Sequence, residues 1–404
     1  MPPSKSFNRR TFIKATSGAA ALAISGLSGL HAQETTDVPV SRKLRIGVIG
    51  CGSVSEKYLP DLTSQPFIDI VSACDIRKHR AEKKANEFGI PNVYGNIEEM
   101  LAGVDFEFLV DLTSMPAHYE INKRGLQAGK HVWSEKPLAK TVEQGKELIE
   151  LAKARGVGFW AAPAMVISPK FHFMADVLAQ KKLGRVCAAH AFYGHSGWQW
   201  LWAPEFFMDG GGSLFDLGVY NVITLTGLLG PVSRVAGIWS IVHPEVTVTT
   251  HEGEKVSVKV ETDENAMLLM EHENGVLTHV QTGFSYFDQM QPHDTIKDDL
   301  HSIEIIGDEG MMKLVGFDWG PIAVDLSTMA NPKMERYALE PEDFRWQMGA
   351  SYIADCILTG KKPLITAEHA LHALEIMNAC RKSGKTGRYV NIETRFKWPV
   401  GNQA

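Results

Sequence analysis

The segment KLRIGVIG (43–50) is an almost unbroken apolar run that breaks into Gly50-Cys51-Gly52-Ser53-Val54-Ser55. Such a run suits a strand buried on both faces. The glycines allow a tight turn and close backbone approach, and a helix starting behind them offers free N–H groups to a pyrophosphate. This is a dinucleotide fingerprint with serine in the third glycine's place. Glycine turns are common, so the loop alone is weak evidence. Its context is stronger, because the next apolar strand, FIDIVSACD (67–75), ends on Asp75. A carboxylate there can accept from adenosine ribose hydroxyls and repel a 2′-phosphate, which favours NAD. Arg77 and Lys78 stand close behind and can bind that phosphate, which leaves NADP open. Asp75 can also cap the following helix.

Strand and helix signals alternate up to residue 163. RKHRAEKKANEFG (77–89) reads as a helix closed by glycine, FEFLVDLTS (106–114) as a strand, and PAHYEINKRGLQAG (116–129) as a helix. HVWSEKPLAK (131–140) runs from a buried strand into Glu135-Lys136-Pro137, before a helix from Thr141 to about Arg155 and the stretch GVGFWAAP (156–163). Continuous apolar strands separated by helices predict a parallel sheet covered on both faces. A lysine on a solvated loop would need neither a strand behind it nor a proline after it, so Lys136 must face something.

After Pro163 the texture changes. SPKFHFMADVLAQKK (168–182) is helical, and RVCAAHAFYGH, SRVAGIWSIV, KVSVKVETDENAMLLMEHENGVLTHVQTGFSYF and HSIEIIG show β-branched alternation between turns. A mostly antiparallel, twisted sheet is predicted, closed by a helix pair around FRWQMGASYIADCILTG and AEHALHALEIMNACRKSG. Within this half, MDGGGSLFDLGVYNVITLTGLLG (208–230) sets three glycines before an apolar helix. They suit backbone packed against a flat object or a sharp entry into the helix. Asp216 and Tyr220 follow at i and i+4, on one helix face. Tyr220 is either a reacting phenol or a packing ring. GHSGWQWLWAPEFF (194–207) offers Trp198, Trp200 and Trp202 for stacking on sugars, or for a loop core or subunit contact.

The N-terminus, MPPSKSFNRRTFIKATSGAAALAISGLSGLHAQE, has a basic start, a mildly apolar stretch and a small residue at Ala32. Arg9-Arg10 with Phe12 and Lys14 resembles a twin-arginine (Tat) signal, so residues 1–32 are expected to engage the Tat export machinery and send a folded chain to the periplasm. A disordered basic tail is the alternative. Residues 33–42 form a linker. Lys5, Arg9, Arg10 and Lys14 leave with the signal and no acid does, so the formal charge moves from −6 to −10. An acidic chain gives no electrostatic reason to expect nucleic acid or anionic lipid. No apolar run is long and clean enough for a permanent membrane span. Cys51, Cys74, Cys187, Cys356 and Cys380 are an odd count in apolar contexts and read as buried thiols. No metal-ligand spacing occurs, so no metal is expected.

Together these motifs resemble the glucose–fructose oxidoreductase, inositol dehydrogenase and rhizopine-catabolism (Gfo/Idh/MocA) family of NAD(P)-dependent oxidoreductases, over about residues 43–392. The carriers are GVIGCGSVS, Asp75, TSMPAHYEINKRGLQAGKHVWSEKPLA, GGGSLFDLGVY, the turn at 273–275, IEIIGDEGMM and SGKTGRYVNI. The resemblance implies a Rossmann domain over 43–163. It implies a substrate and oligomerisation domain over 164–398, whose open sheet lines the active site on one face and makes homodimers or homotetramers with the other. It implies cofactor contacts from Gly50, Gly52, Ser53, Val54, Asp75 and Arg77, and from Thr113, Ser114, Pro116, His118, Glu135 and Lys136. For His118 a role at the helix start suits equally.

By the same resemblance Lys136 lies between nicotinamide and substrate, with a Lys136–Pro137 bond that is often cis in such motifs. Asp216 matches the acid of the family's catalytic helix. Many members carry histidine where this chain has Tyr220, which is similar to glucose–fructose oxidoreductase itself and to dihydrodiol dehydrogenases. Substrate contacts are expected from Lys136, Asp216, Tyr220, His195, Trp198 and Trp200. Oxidising a secondary alcohol needs a hydride acceptor and a group that removes the hydroxyl proton. Tyr220 is expected to exchange that proton, its pKa lowered by the Lys136 cation. Lys136 would polarise the oxygen, and Asp216 would position lysine and sugar. The expected substrate is a sugar, polyol or glycoside. A tightly bound cofactor would be recycled in place by a second carbonyl compound. Redox-neutral glycosidase, lyase or epimerase chemistry and a non-catalytic sugar-binding role are the alternatives.

Overall fold

The computed structural model describes residues 42–195, 203–250, 253–286, 300–339 and 344–398. The expected signal, most of the linker, and Trp198, Trp200 and Trp202 lie outside the described residues.

The first half is built on strands β1 (Leu44–Ile49), β2 (Ile68–Cys74), β3 (Asn92–Tyr94), β4 (Phe108–Asp111), β5 (His131–Ser134) and β6 (Phe159–Ala161). They pair in parallel in the order β3-β2-β1-β4-β5-β6. Helices α1 (Ser55–Ser64), α2 (Lys78–Phe88), α3 (Ile97–Ala102), α4 (His118–Gln127) and α5 (Val142–Arg155) connect them. Leu44, Ile46, Val48, Phe108, Val132 and Trp133 are wholly buried, as the unbroken apolar runs require. Strand order reverses between β1 and β4, where a doubly wound sheet opens its ligand crevice. Strand β3 and helix α3 have no counterpart in the sequence reading. Three and six residues are too short for either periodicity to register.

After helix α6 (Pro169–Ala179) come β7 (Val186–Gly194), helix α7 (Val219–Leu229), β8 (Val232–Ser240), β9 (Glu245–Thr249), β10 (Lys255–Lys259), β11 (Asn265–His272) and β12 (Leu277–Gly283). Strands β13 (His301–Gly307), β14 (Gly310–Phe317), β15 (Gly320–Thr328), β16 (Asn331–Tyr337) and β17 (Val390–Asn391) complete the set, with helices α8 (Gly349–Thr359) and α9 (Ala367–Thr386). The larger sheet runs β16-β15-β14-β13-β7-β12-β11-β8-β17 and is antiparallel except between β7 and β12. Lys255–Lys259 does not join it, but pairs with β9 in a separate ribbon.

Alternation sorts the two faces of the large sheet. Ala266, Leu268, Met270 and Val280 are buried, while Met267, Leu269, Leu277, Ile238 and Phe192 are exposed on the other side. The last helices turn back to the first domain: Ser351 Oγ donates to Asp61 Oδ2 (2.6 Å), and Asn378 Nδ2 to the Lys140 carbonyl. Four cysteines are buried thiols, but Cys187 is exposed. It sits near the start of β7, beyond the cover that buries Ala189 and Ala191. Among the described residues no helix is long and apolar enough to cross a membrane.

Candidate active site

The first turn holds its shape through its own backbone. Gly50 has φ +90, and a Cβ there would stand 2.4 Å from the Leu112 carbonyl carbon, so only glycine lets β1 pass so close to the end of β4. At Gly52 a Cβ would meet nothing nearer than an Arg80 nitrogen at 3.9 Å, so the outer side of the loop has room for a diphosphate. Ser53 and Val54 are half-buried beside it. Asp75 does not cap α2. Its Oδ2 accepts from the Cys51 N–H and its Oδ1 from the Arg77 N–H, each at 2.8 Å, which ties the second strand's tip to the loop. A carboxylate oxygen has further lone pairs for ribose hydroxyls. Arg77 is exposed at this edge. Arg80, not anticipated, reaches the loop from one turn further along α2. These features fit a dinucleotide.

At the tip of β4, Thr113 donates through Oγ1 and N–H to Asp111, while Ser114 and Pro116 are exposed on the crevice-side turn. His118 is buried. Its Nδ1 meets the Pro137 carbonyl (2.7 Å) and its Nε2 the Thr113 carbonyl (3.0 Å). The ring thus bridges the Glu135-Lys136-Pro137 loop and the tip of β4, its N–H donating to one or the other carbonyl with the tautomer. The Lys136–Pro137 bond is cis. Glu135 is buried, accepting from the Lys136 N–H and from Tyr58 Oη at 2.6 Å. Tyr58, also not anticipated, comes from α1 and in turn accepts from Trp133 Nε1.

The glycine run answers to the protein's own backbone, not to a flat ligand. A Cβ on Gly211 would meet the Glu205 carbonyl oxygen at 2.2 Å, and Gly210 and Gly212 have φ +100 and +98. Asp263 caps the segment by accepting from Ser213 Oγ and the Leu214 N–H, and Arg381 of α9 pairs with it at 2.6 Å. The chain then makes one π-turn, Leu214–Gly218, before α7. Widened turns of this kind expose backbone carbonyls and recur at functional sites. Lys136 Nζ uses the opening, donating to the Asp216 carbonyl (2.9 Å) and to Asp216 Oδ1 (2.6 Å), with both side chains close to 90% buried. The same ammonium lies 5.3 Å from the centre of the Tyr220 ring. Lys136, Asp216 and Tyr220 are thus one cluster, although Lys136 and Asp216 are 80 residues apart in sequence.

The expected acidification of Tyr220 by Lys136 is not found. Burial raises the Tyr220 pKa well above its ordinary value, and Glu135, Asp216, Asp318 and Tyr193 raise it further. The physical reason is that the lysine's charge is committed to Asp216 while the phenol sits among acids in a desolvated place.

Asp318, on the β14–β15 hairpin, was not anticipated either. It accepts from Asn221 Nδ2 (2.7 Å) and the Trp319 N–H (3.1 Å), and burial pushes its carboxyl up to about 7. A carboxyl whose folded pKa exceeds its unfolded value costs stability as pH rises between the two, here from about 4 to about 7. Asp318→Asn should therefore narrow the loss of Tm between about pH 4 and pH 7. Identical slopes for wild type and variant would show that this carboxyl does not titrate there. His195 is buried and stacks on Phe284 at 5.5 Å. Among the described residues no group of three or more His, Cys, Asp or Glu side chains is placed to hold a metal ion.

Comparison with known proteins agrees with this architecture. Residues 44–162 match the model of the oxidoreductase family with NAD-binding Rossmann fold, GFO_IDH_MocA, and residues 171–313 match a GFO/IDH/MocA C-terminal domain. The chain is 26% identical over 351 residues to trans-1,2-dihydrobenzene-1,2-diol dehydrogenase of Oryctolagus cuniculus, covering 83% of this chain and 97% of that one. It is 24% identical to D-apiose dehydrogenase of Paraburkholderia graminis, covering 87% and 91%. A levoglucosan dehydrogenase solved with NADH shares the fold with TM-score 0.76 at 17% identity, covering 87% of this chain and all of that one. A glycine turn that only a close-passing backbone explains, an acid-tipped second strand and a lysine-led cluster on an antiparallel sheet domain stand where both family models match: the chain belongs to the GFO/IDH/MocA family of NAD-binding oxidoreductases.

Proposed function

We propose that this protein oxidises a secondary hydroxyl of a sugar, polyol or glycoside, with Tyr220 exchanging the hydroxyl proton. The observation that carries the reading is the placement of one ammonium, Lys136 Nζ, against both Asp216 and the Tyr220 ring at the carboxyl edge of the parallel sheet. Relatives named as dehydrogenases of a dihydrodiol and of D-apiose, and a reductase of 1,5-anhydro-D-fructose, support the substrate class. NAD, when bound, supplies the hydride acceptor and, in its oxidised form, a positive charge. Asp216 holds Lys136 by side chain and carbonyl, so the ammonium is fixed to polarise a substrate oxygen. Tyr220, entering as phenolate, takes the hydroxyl proton, and Glu135, Asp216 and Asp318 oppose that state in the cofactor-free protein. A positive charge brought into the crevice offsets them.

The twin-arginine segment supports export of the folded chain to the periplasm, and free nucleotide is scarce there. The cofactor would then leave the cytoplasm tightly bound and be restored in place by a second carbonyl substrate. Purified protein, denatured, is expected to release about one nicotinamide nucleotide per chain, read by absorbance and mass. Protein that is folded and active only with added nucleotide would refute in-place recycling. Cell fractionation of an Arg9→Lys, Arg10→Lys variant tests export. The exposed row Ile238, Met267, Leu269, Leu277 and Phe192 supports a homo-oligomer formed on the open sheet face, which light scattering would test.

A further inference from the structure

We propose that the β14–β15 hairpin tip carries a second sugar subsite beside the reacting centre, so that the preferred substrate holds a further ring beyond the one oxidised. The inference rests on the sugar-oxidising reading above and names the substrate's size. Phe317 pairs with Gly320, leaving Asp318 and Trp319 as a two-residue tip. The two tip residues point to different environments. Asp318 is buried and takes the Asn221 amide at 2.7 Å, and Asn221 directly follows Tyr220 on α7. One buried hydrogen bond therefore locks the hairpin to the helix that carries the phenol.

Trp319 and Phe317 flank that anchor with their rings stacked, 4.8 Å between centroids and 8° between planes. Tyr193 of β7 leans on Phe317 at 4.6 Å and lies 6.2 Å from Trp319. Behind burial, Glu135 and Asp216, both Asp318 and Tyr193 help raise the Tyr220 pKa, in keeping with the Asn221 anchor that ties the tip to the phenol's helix. The three rings are half-buried, whereas rings that only fill the core here, such as Phe215 and Phe284, are wholly buried. A shelf of partly open aromatic rings matches a sugar ring, which offers apolar C–H faces to stack. None of these three rings is one of the tryptophans at 198, 200 and 202, which lie outside the described residues.

The test compares hexoses with disaccharides built from them, on the full NAD-loaded protein, by NADH formation and by calorimetric binding. The wild type is expected to favour a disaccharide over its component hexose in kcat/KM. Trp319→Ala should lose about tenfold on the disaccharide and less than about twofold on the hexose. Trp319→Phe should keep most of the disaccharide activity, which guards against a folding defect in the alanine variant. Equal losses on both sugars, or no wild-type advantage for the disaccharide, would overturn the subsite. Trp319-dependent disaccharide binding without NADH formation would overturn the oxidising reading and leave the subsite in place. Absence of both binding and turnover would overturn both.

Discussion

Tyr220→Phe is expected to lower turnover by about two to four orders of magnitude, with NAD binding retained. The change removes one hydroxyl from a ring of α7 that is already buried, so the fold loses little. What disappears is the hydroxyl of the ring that lies 5.3 Å from the Lys136 ammonium, the proposed acceptor for the substrate proton. The acid limb of the pH profile should vanish with it, because that limb reports a phenol that burial, and then Glu135, Asp216 and Asp318, hold protonated. Steady-state kinetics across pH, alongside nucleotide titration, measure both. Near-normal turnover in the phenylalanine variant would sink the proton-exchange role and reduce Tyr220 to a packing ring.

Lys136→Met should cost about two to three orders of magnitude in kcat and also lower Tm. The two losses have different origins. The catalytic one is the loss of a fixed positive charge where oxygen charge develops. The stability one arises because Asp216, about nine-tenths buried, is left as an uncompensated carboxylate. Adding Asp216→Asn to the methionine variant should recover Tm without recovering kcat. Joint recovery of both would mean that Lys136 serves only to hold the helix in place.

Several parts of this site were legible in the sequence for local reasons. The first turn, the Asp75 tip and the Glu135-Lys136-Pro137 loop each lie within one strand-to-helix junction, and their residue types name the backbone geometry directly. Asp216 and Tyr220 were paired by helix periodicity. Asn221–Asp318 and Tyr58–Glu135 were not legible, because each joins residues 97 and 77 positions apart with no shared motif. The hairpins from 310 to 337 are not legible because Met, Lys, Gly and Asp blur their alternation.

The protonation of Tyr220 shows the limit most clearly. A lysine motif and a tyrosine helix are separate sequence facts, and proximity alone suggests an acidified phenol. The folded chain commits the lysine to Asp216 and surrounds the phenol with acids.

By itself the sequence determined the doubly wound first domain, the glycine turn and the chemical types brought to the crevice, since short-range patterning and backbone sterics settle these. Only tertiary structure decided which charge answers which. Burial and the distances among distant groups set pKa values and hydrogen-bond partners, and the folding of both domains onto one another fixes those quantities.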